Sequence, residues 1–273
     1  MATTTQSLDA TVDAVRDYWD GHTLGKQYVT DHDLVVGSAE FFEHVKPWMS
    51  PFKFPWIMER IDREARLLGS QGKLLEIGCG MGFASLEFIR RGCHVTATDL
   101  TPAAVELTRR HYELLNVTAD DVRIENALNL SFPDATFDAV WANGVLHHTG
   151  DTQRAIQEIR RVLKIGGRAI ISHFYRRPSW MYWISRLGRE NIEFKSEDPP
   201  VTDFLTEAQV LAMFGGFEIV ETTRDHHRAL KVARRGLKAA LYNAGFKPLY
   251  NLLPERVARS LAYKFSVVAR RIA

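Results

Sequence analysis

The stretch that most constrains this chain is a short apolar run, Leu74-Leu75-Glu76-Ile77, that ends in Gly78-Cys79-Gly80-Met81-Gly82 and passes at once into a helical run from Phe83 to Arg90. A buried strand turning on glycines into a helix opens a βαβ unit. Such units build a parallel sheet with helices on both faces. The same alternation continues downstream. His94–Thr98 reads as the second strand. Thr101 caps the next helix, with Pro102 at its first position. Val122–Glu125 and Phe137–Trp141 read as the third and fourth strands. Asp151 caps a helix that puts Ile156, Ile159 and Leu163 on one face; Gly166-Gly167 ends it, and Arg168–Ser172 is the fifth strand. Thr206 and Gln209 have capping-box spacing. Phe217–Thr222 and Lys264–Arg270 complete seven strands.

Upstream of residue 70 no strand alternation occurs. Helices are expected over Leu8–Trp19, after a Ser38 cap, and from Pro55 to Leu68 with Gly69 as the stop. The expected fold is therefore α/β, a doubly wound, seven-stranded, mostly parallel sheet. Residues 1–70 are expected to form an N-terminal helical lid and residues 71–273 the main domain, with a lid-like insert over 174–216 and a basic helical insert over 224–262.

A chain of 273 residues buries enough surface to need no staples. Its two cysteines, Cys79 and Cys93, lack metal-ligand spacing, so reduced thiols and no metal are expected. The start, Met1-Ala2-Thr3-Thr4-Thr5, has no basic n-region or apolar core, and no apolar run approaches the ~18 residues of a membrane span. A soluble, cytoplasmic protein is expected. The net charge of +2 conceals an asymmetry: residues 224–273 carry 12 Lys/Arg and 2 acids, or +10, and the other 223 residues sum to −8. In that tail Leu230, Ala233, Leu237, Leu241 and Ala244 recur at helical spacing, with Lys231, Arg234, Arg235 and Lys238 on another face. A basic amphipathic helix either lies on an anionic membrane surface or packs on the sheet with its charges in water. No nucleic-acid motif accompanies it, so nucleic acid is not an expected partner. Oligomeric state is not legible.

The glycines let the backbone turn tightly and lie close to a ligand, and the helix N-terminus beyond offers unpaired N–H groups. Dinucleotide enzymes use GxGxxG there; this loop reads GxGxG. Asp99, ending the second strand, suits an acid that accepts from adenosine ribose hydroxyls. Together with Phe137-Asp138-Ala139-Val140 and Leu163-Lys164-Ile165-Gly166-Gly167, these segments resemble the class I S-adenosylmethionine-dependent methyltransferases, in their small-molecule and lipid branch. The resemblance is clear over residues 70–175. It implies a Rossmann-like methyltransferase fold and S-adenosylmethionine as cofactor. It also implies a cofactor loop of Glu76, Gly78, Cys79 and Gly80, with Asp99 at ribose and Leu100 on adenine. Asn126-Ala127 stand where the family usually has Asp-Ala, reading the adenine amino group. Asn143 falls near the sulfonium. Tyr18, Trp19 and Tyr28 resemble an aromatic lid, since an aromatic face stabilises a cation.

Methyl transfer needs an aligned nucleophile and, for a hydroxyl, a base. The candidates are His173 at the end of the fifth strand, and His147 and His148 after the fourth. Tyr175, Trp180 and Trp183 begin an aromatic stretch rimmed by arginine, which suits a substrate lid for an amphipathic acceptor. The expected function is methyl transfer by in-line displacement to a small, amphipathic or lipid-like acceptor. The alternatives are a nicotinamide-dependent oxidoreductase and a non-catalytic cofactor-binding adaptor at a membrane surface.

Overall fold

The computed structural model describes residues 5–22, 34–179, 182, 199–225 and 240–273. Tyr28, Trp180, Trp183 and the tail residues 226–239, with their expected basic face, lie outside the described residues.

Four helices come first: α1 (Thr5–Gly21), α2 (Ala39–Val45), α3 (Ser50–Lys53) and α4 (Pro55–Leu68). The Ser38 side chain accepts from Phe41 N and caps α2, as expected. Then β1 (Lys73–Ile77), α5 (Phe83–Arg90), β2 (His94–Asp99), α6 (Pro102–Leu115), β3 (Asp121–Ile124) and β4 (Phe137–Asn143) alternate. They are followed by α7 (Thr152–Val162), β5 (Leu163–Arg176), β6 (Phe204–Leu205), α8 (Glu207–Ala212) and β7 (Phe217–Asp225). Two short helices, α9 (Lys247–Asn251) and α10 (Glu255–Ser260), precede β8 (Lys264–Arg271).

The sheet order is β3-β2-β1-β4-β5-β8-β7. Strands β1 to β5 pair in parallel, and β8 runs antiparallel between β5 and β7. These are the seven, mostly parallel strands expected from the sequence, whose order the sequence left open. The two-residue β6 adds an eighth strand beside the end of β5, too short for a sequence signal.

Alternation along the strands builds two cores. Leu75, Ile77, Val140, Ala142, Ala169, Ile171, Val267 and Ala269 face α7 and α8. Leu74, Val95, Ala139, Trp141, Ile170 and Val268 face α4 and α5. A third cluster packs α2 Phe41, Phe42 and Val45 against Phe83 and Leu107.

The structure departs from expectation at β5. Helix α7 stops at Val162, and Gly166-Gly167 lie inside a strand that begins at Leu163 and reaches Arg176. The pairing with β4 shifts register there: Phe137 opposes Leu163, and Ala139 opposes Arg168. A Cβ on Gly167 would sit 2.8 Å from Lys164 O and 3.0 Å from Asp138 O, so this irregular turn needs glycine. Phe174 and Tyr175 are consequently strand residues, and the insertion starts after Arg176 rather than at 174.

Candidate functional site

One cavity opens at the carboxyl ends of β1, β2 and β4, where open α/β sheets hold ligands. Its floor is the loop between β1 and α5. Gly78 has φ +73°, and a Cβ there would sit 2.2 Å from Val145 Cγ2, so no other residue fits. Gly80 has φ +60° and open space where its Cβ would be. Cys79 lines the cavity with a buried thiol, which burial and the nearby Asp99 and Glu76 carboxylates push well above its usual range.

Two carboxylates flank the loop. Asp99 accepts from Gly80 N (3.0 Å) and from Thr101 N and Oγ1 (both 3.1 Å). Burial raises its pKa despite these donors. Glu76 accepts from Ser85 N (3.0 Å), and burial pushes it up to about 8. Leu100, Glu125, Asn126 and Ala127 line the β2–β3 side. Asn126 Oδ1 accepts from Leu128 N (2.9 Å), which turns the chain and leaves a second lone pair on the oxygen. Asn143 Oδ1 is buried in the cavity wall and has no hydrogen-bond partner among the described residues.

The roof comes from α1, whose Val12, Val15 and Trp19 fall on one stripe and line the cavity beside Met49, Ser50 and Pro51. Asp20 Oδ1 accepts from Ala103 N (3.0 Å), which fastens α1 to the first turn of α6. Gly150 lets α1 approach, since a Cβ there would sit 2.9 Å from Thr11 Cγ2. Tyr18 stacks on His22 at 4.3 Å and does not line the cavity.

The three candidate histidines separate. His148 lines the cavity, 5.2 Å from the Trp19 ring. Its Nδ1 lies 2.8 Å from the Val201 carbonyl oxygen. A carbonyl only accepts, so in the neutral ring Nδ1 carries the proton and Nε2 the lone pair. The loop supplying Val201 is pinned by Asp203, whose N donates to His147 O (2.8 Å) and whose carboxylate accepts from Thr152 Oγ1 (3.0 Å). His147 lies behind the wall, its ring 4.3 Å from Tyr175, with both nitrogens buried and without hydrogen-bond partners among the described residues. Burial, then His148 and Lys264, hold its pKa well below the usual range. His173 is buried outside the cavity at φ +69°, its N donating to Ser266 Oγ (3.2 Å) and its Nε2 3.9 Å from Asp225 Oδ2. Tyr175 is likewise buried, against His147 and Tyr263.

Sequence reasoning missed Val12, Val15, Met49, Pro51, Glu125 and Gly150. The α1 residues had a signal, the stripe Leu8, Val12, Val15, Trp19. The others depend on which loops meet.

A family pattern described as a methyltransferase domain matches residues 75–171. An O-methyltransferase of Aspergillus nomiae is 31% identical over 161 residues, covering 56% of this chain and 71% of the relative. The chain belongs to the S-adenosylmethionine-dependent methyltransferase family. An S-adenosyl-L-methionine-dependent Diels-Alderase of Talaromyces variabilis is 28% identical over 214 residues, 75% of this chain and 67% of that one. Among solved structures, a [4+2]-cyclase superposes with TM-score 0.55 at 19% identity, covering 99% of this chain and 97% of the other, and so shares the fold. The cofactor of this methyltransferase is S-adenosylmethionine, and the cavity suits it. The open space over Gly80 admits a ligand against backbone. The orphaned Asn143 Oδ1 calls for a cation or a donor.

Proposed function

We propose that this methyltransferase methylates a hydroxyl on a small, amphipathic or lipid-like acceptor, with His148 as the base. The observation that carries the reading is that His148, its tautomer set by Val201, shares one cavity with the glycine loop and an apolar roof.

When bound, S-adenosylmethionine supplies an electrophilic methyl group on positive sulfur and a neutral leaving group. The chain does the rest. Gly78, Cys79 and Gly80 carry backbone past the methionine part, with Glu76 beneath. Asp99 would share its carboxylate with the ribose, Leu100 would pack on adenine, and Asn126 with Ala127 would border the adenine amino group. Asn143 would present its oxygen to the sulfonium. Val12, Val15 and Trp19 exclude water and offer the cation an aromatic face. His148 Nε2 would take the acceptor hydroxyl's proton, the methyl–sulfur bond breaking as the oxygen–methyl bond forms. Alignment supplies roughly 7–11 kcal/mol of barrier reduction and the base a factor of ~10²–10⁴. His147, held neutral by burial, and His173, outside the cavity, serve the wall. Tyr175 backs it, and Trp180 and Trp183 belong to the proposed substrate lid.

An acceptor screen read by mass spectrometry tests this. Products heavier by one methyl group, formed with equimolar S-adenosylhomocysteine, are expected. His148→Gln should lower kcat by ~10²–10⁴ while cofactor affinity persists. Methylation unaffected by that substitution would remove His148 as base.

A second reading is favoured by the similarity to the Diels-Alderase over three quarters of the chain. A cavity with an apolar roof can hold a polyene folded for cyclisation, an isomerisation that releases no S-adenosylhomocysteine. The same screen distinguishes it, because the product keeps the substrate's mass.

A further inference from the structure

Strand β7 ends at Asp225, which pairs with Lys264 of β8, which in turn pairs with Tyr175 of β5. The β7–β8 connection therefore leaves the sheet from the edge that also holds the cavity. From Leu241 the described part of this connection runs through a π-helical turn (Tyr242–Phe246), α9 and α10.

This stretch is apolar on two sides. On its inner side Tyr242, Phe246, Tyr250 and Leu253 close around buried Ala258, with successive rings 5.4 Å apart. On its outer side Leu241, Leu249 and Leu252 are 64%, 68% and 80% exposed. Leu249 and Leu252, three residues apart at the end of α9, share one side of it, and Leu241 stands exposed across the π-helical turn. Val257 and Leu261 of the following turn are also exposed. The same connection is strongly basic: residues 226–262 contain eight Lys/Arg and one acid, Glu255. Everything outside residues 224–273 sums to −8. Exposed leucines set in a cationic segment, on an otherwise acidic molecule, match the chemistry of an anionic lipid surface. The acidic body would be repelled from it, and the basic connection drawn in. No described helix is long and apolar enough to cross a membrane.

We propose that the described part of the β7–β8 connection docks the protein on anionic membranes through Leu241, Leu249 and Leu252, with Lys247 and Arg256 meeting the headgroups. This orients the cavity-bearing edge of the sheet toward the bilayer. It stands apart from the identity of the acceptor and the base.

Co-sedimentation of the full chain with phosphatidylcholine vesicles, with and without phosphatidylglycerol, tests it. Binding to the mixed vesicles, weakened by added salt, and at least about tenfold less on pure phosphatidylcholine, is expected. Leu249→Ser with Leu252→Ser, and separately Lys247→Gln with Arg256→Gln, should each lower partitioning by about tenfold. Both pairs are on the surface, so an unchanged thermal melt confirms that the fold is intact. Absence of binding to either vesicle overturns the proposal, as does binding indifferent to the leucine pair. A dimer in sedimentation velocity that the leucine pair dissolves would also overturn it, assigning these leucines to a second copy of this chain.

Discussion

Glu76 shows how far a residue's chemistry can depart from its sequence appearance. It closes β1 with 4% of its surface exposed, and burial lifts its pKa from the ordinary 4.5 to about 8 although Ser85 donates to it. The folded chain keeps this proton across a window in which the unfolded chain has lost it. Its contribution to stability is therefore full below about pH 4.5 and falls steadily as pH rises to about 8. Glu76→Gln keeps an acceptor for Ser85 and cannot ionise. Thermal melts of the cofactor-free protein from pH 5 to 8 should fall less steeply for the variant; parallel slopes would refute a protonated Glu76. Gly78→Ala meets both a 2.2 Å clash with Val145 and a left-handed φ. Its loop must move, and calorimetry should show S-adenosylmethionine affinity at least about tenfold weaker. Both positions are legible as motif members. What the sequence hides is the state of each group. Three histidines near strand ends look alike as letters. His148 is separated from His147 and His173 by a carbonyl fifty-three positions away, at Val201, and no local pattern encodes that contact.

At the scale of elements, helix starts are the most legible feature, because caps are local chemistry. Ser38, Thr101, Asp151 and Thr206 all accept from the backbone N–H three residues on. Strand ends are less legible. β5 runs through two glycines because β4 holds it on both sides of the irregularity, a tertiary effect that overrides the glycines' local preference. The roof helix α1 is intermediate. Its apolar stripe shows in the sequence, but its partner surface does not. Gly150 receives Thr11 at a distance that admits no side chain. Gly150→Val should displace α1 by overpacking worth about 1–3 kcal/mol. Cofactor affinity should then drop by about tenfold or more while the sheet stays folded, read by calorimetry and far-ultraviolet circular dichroism together. Affinity equal to wild type would mean that α1 does not cover the bound cofactor.

The whole molecule divides differently from its sequence. Residues 1–70 look like one helical region because none of them alternates like a strand. In space they do two jobs. α1 roofs the cavity, whereas α4 buries Ile57, Ile61 and Ala65 against Leu74, Val95, Trp141, Ile170 and Val268, closing one face of the sheet. Its Glu64, 1% exposed, takes a two-pronged ion pair from Arg168 of β5 (2.6 and 3.0 Å). Its Arg60, also buried, donates to Ser172 of β5 and Thr223 of β7. The alternation of helix and strand downstream of Lys73 could reveal a sheet with two faces to cover, but not which upstream helix covers one of them. Truncation separates the two jobs. Removing residues 1–22 takes away the roof and its Asp20 fastening, so the remaining chain should fold with a cooperative melt and bind S-adenosylmethionine at least about tenfold more weakly. Removing residues 1–70 strips the sheet face as well. Emptying a buried Ile or Leu site costs about 2–5 kcal/mol. Two isoleucines and a buried ion pair together therefore approach or exceed the ~5–15 kcal/mol that holds a domain folded. That shorter chain should lose its cooperative melt and expose Trp141, seen as red-shifted fluorescence; a native-like melt without α4 would show that the sheet closes on its own.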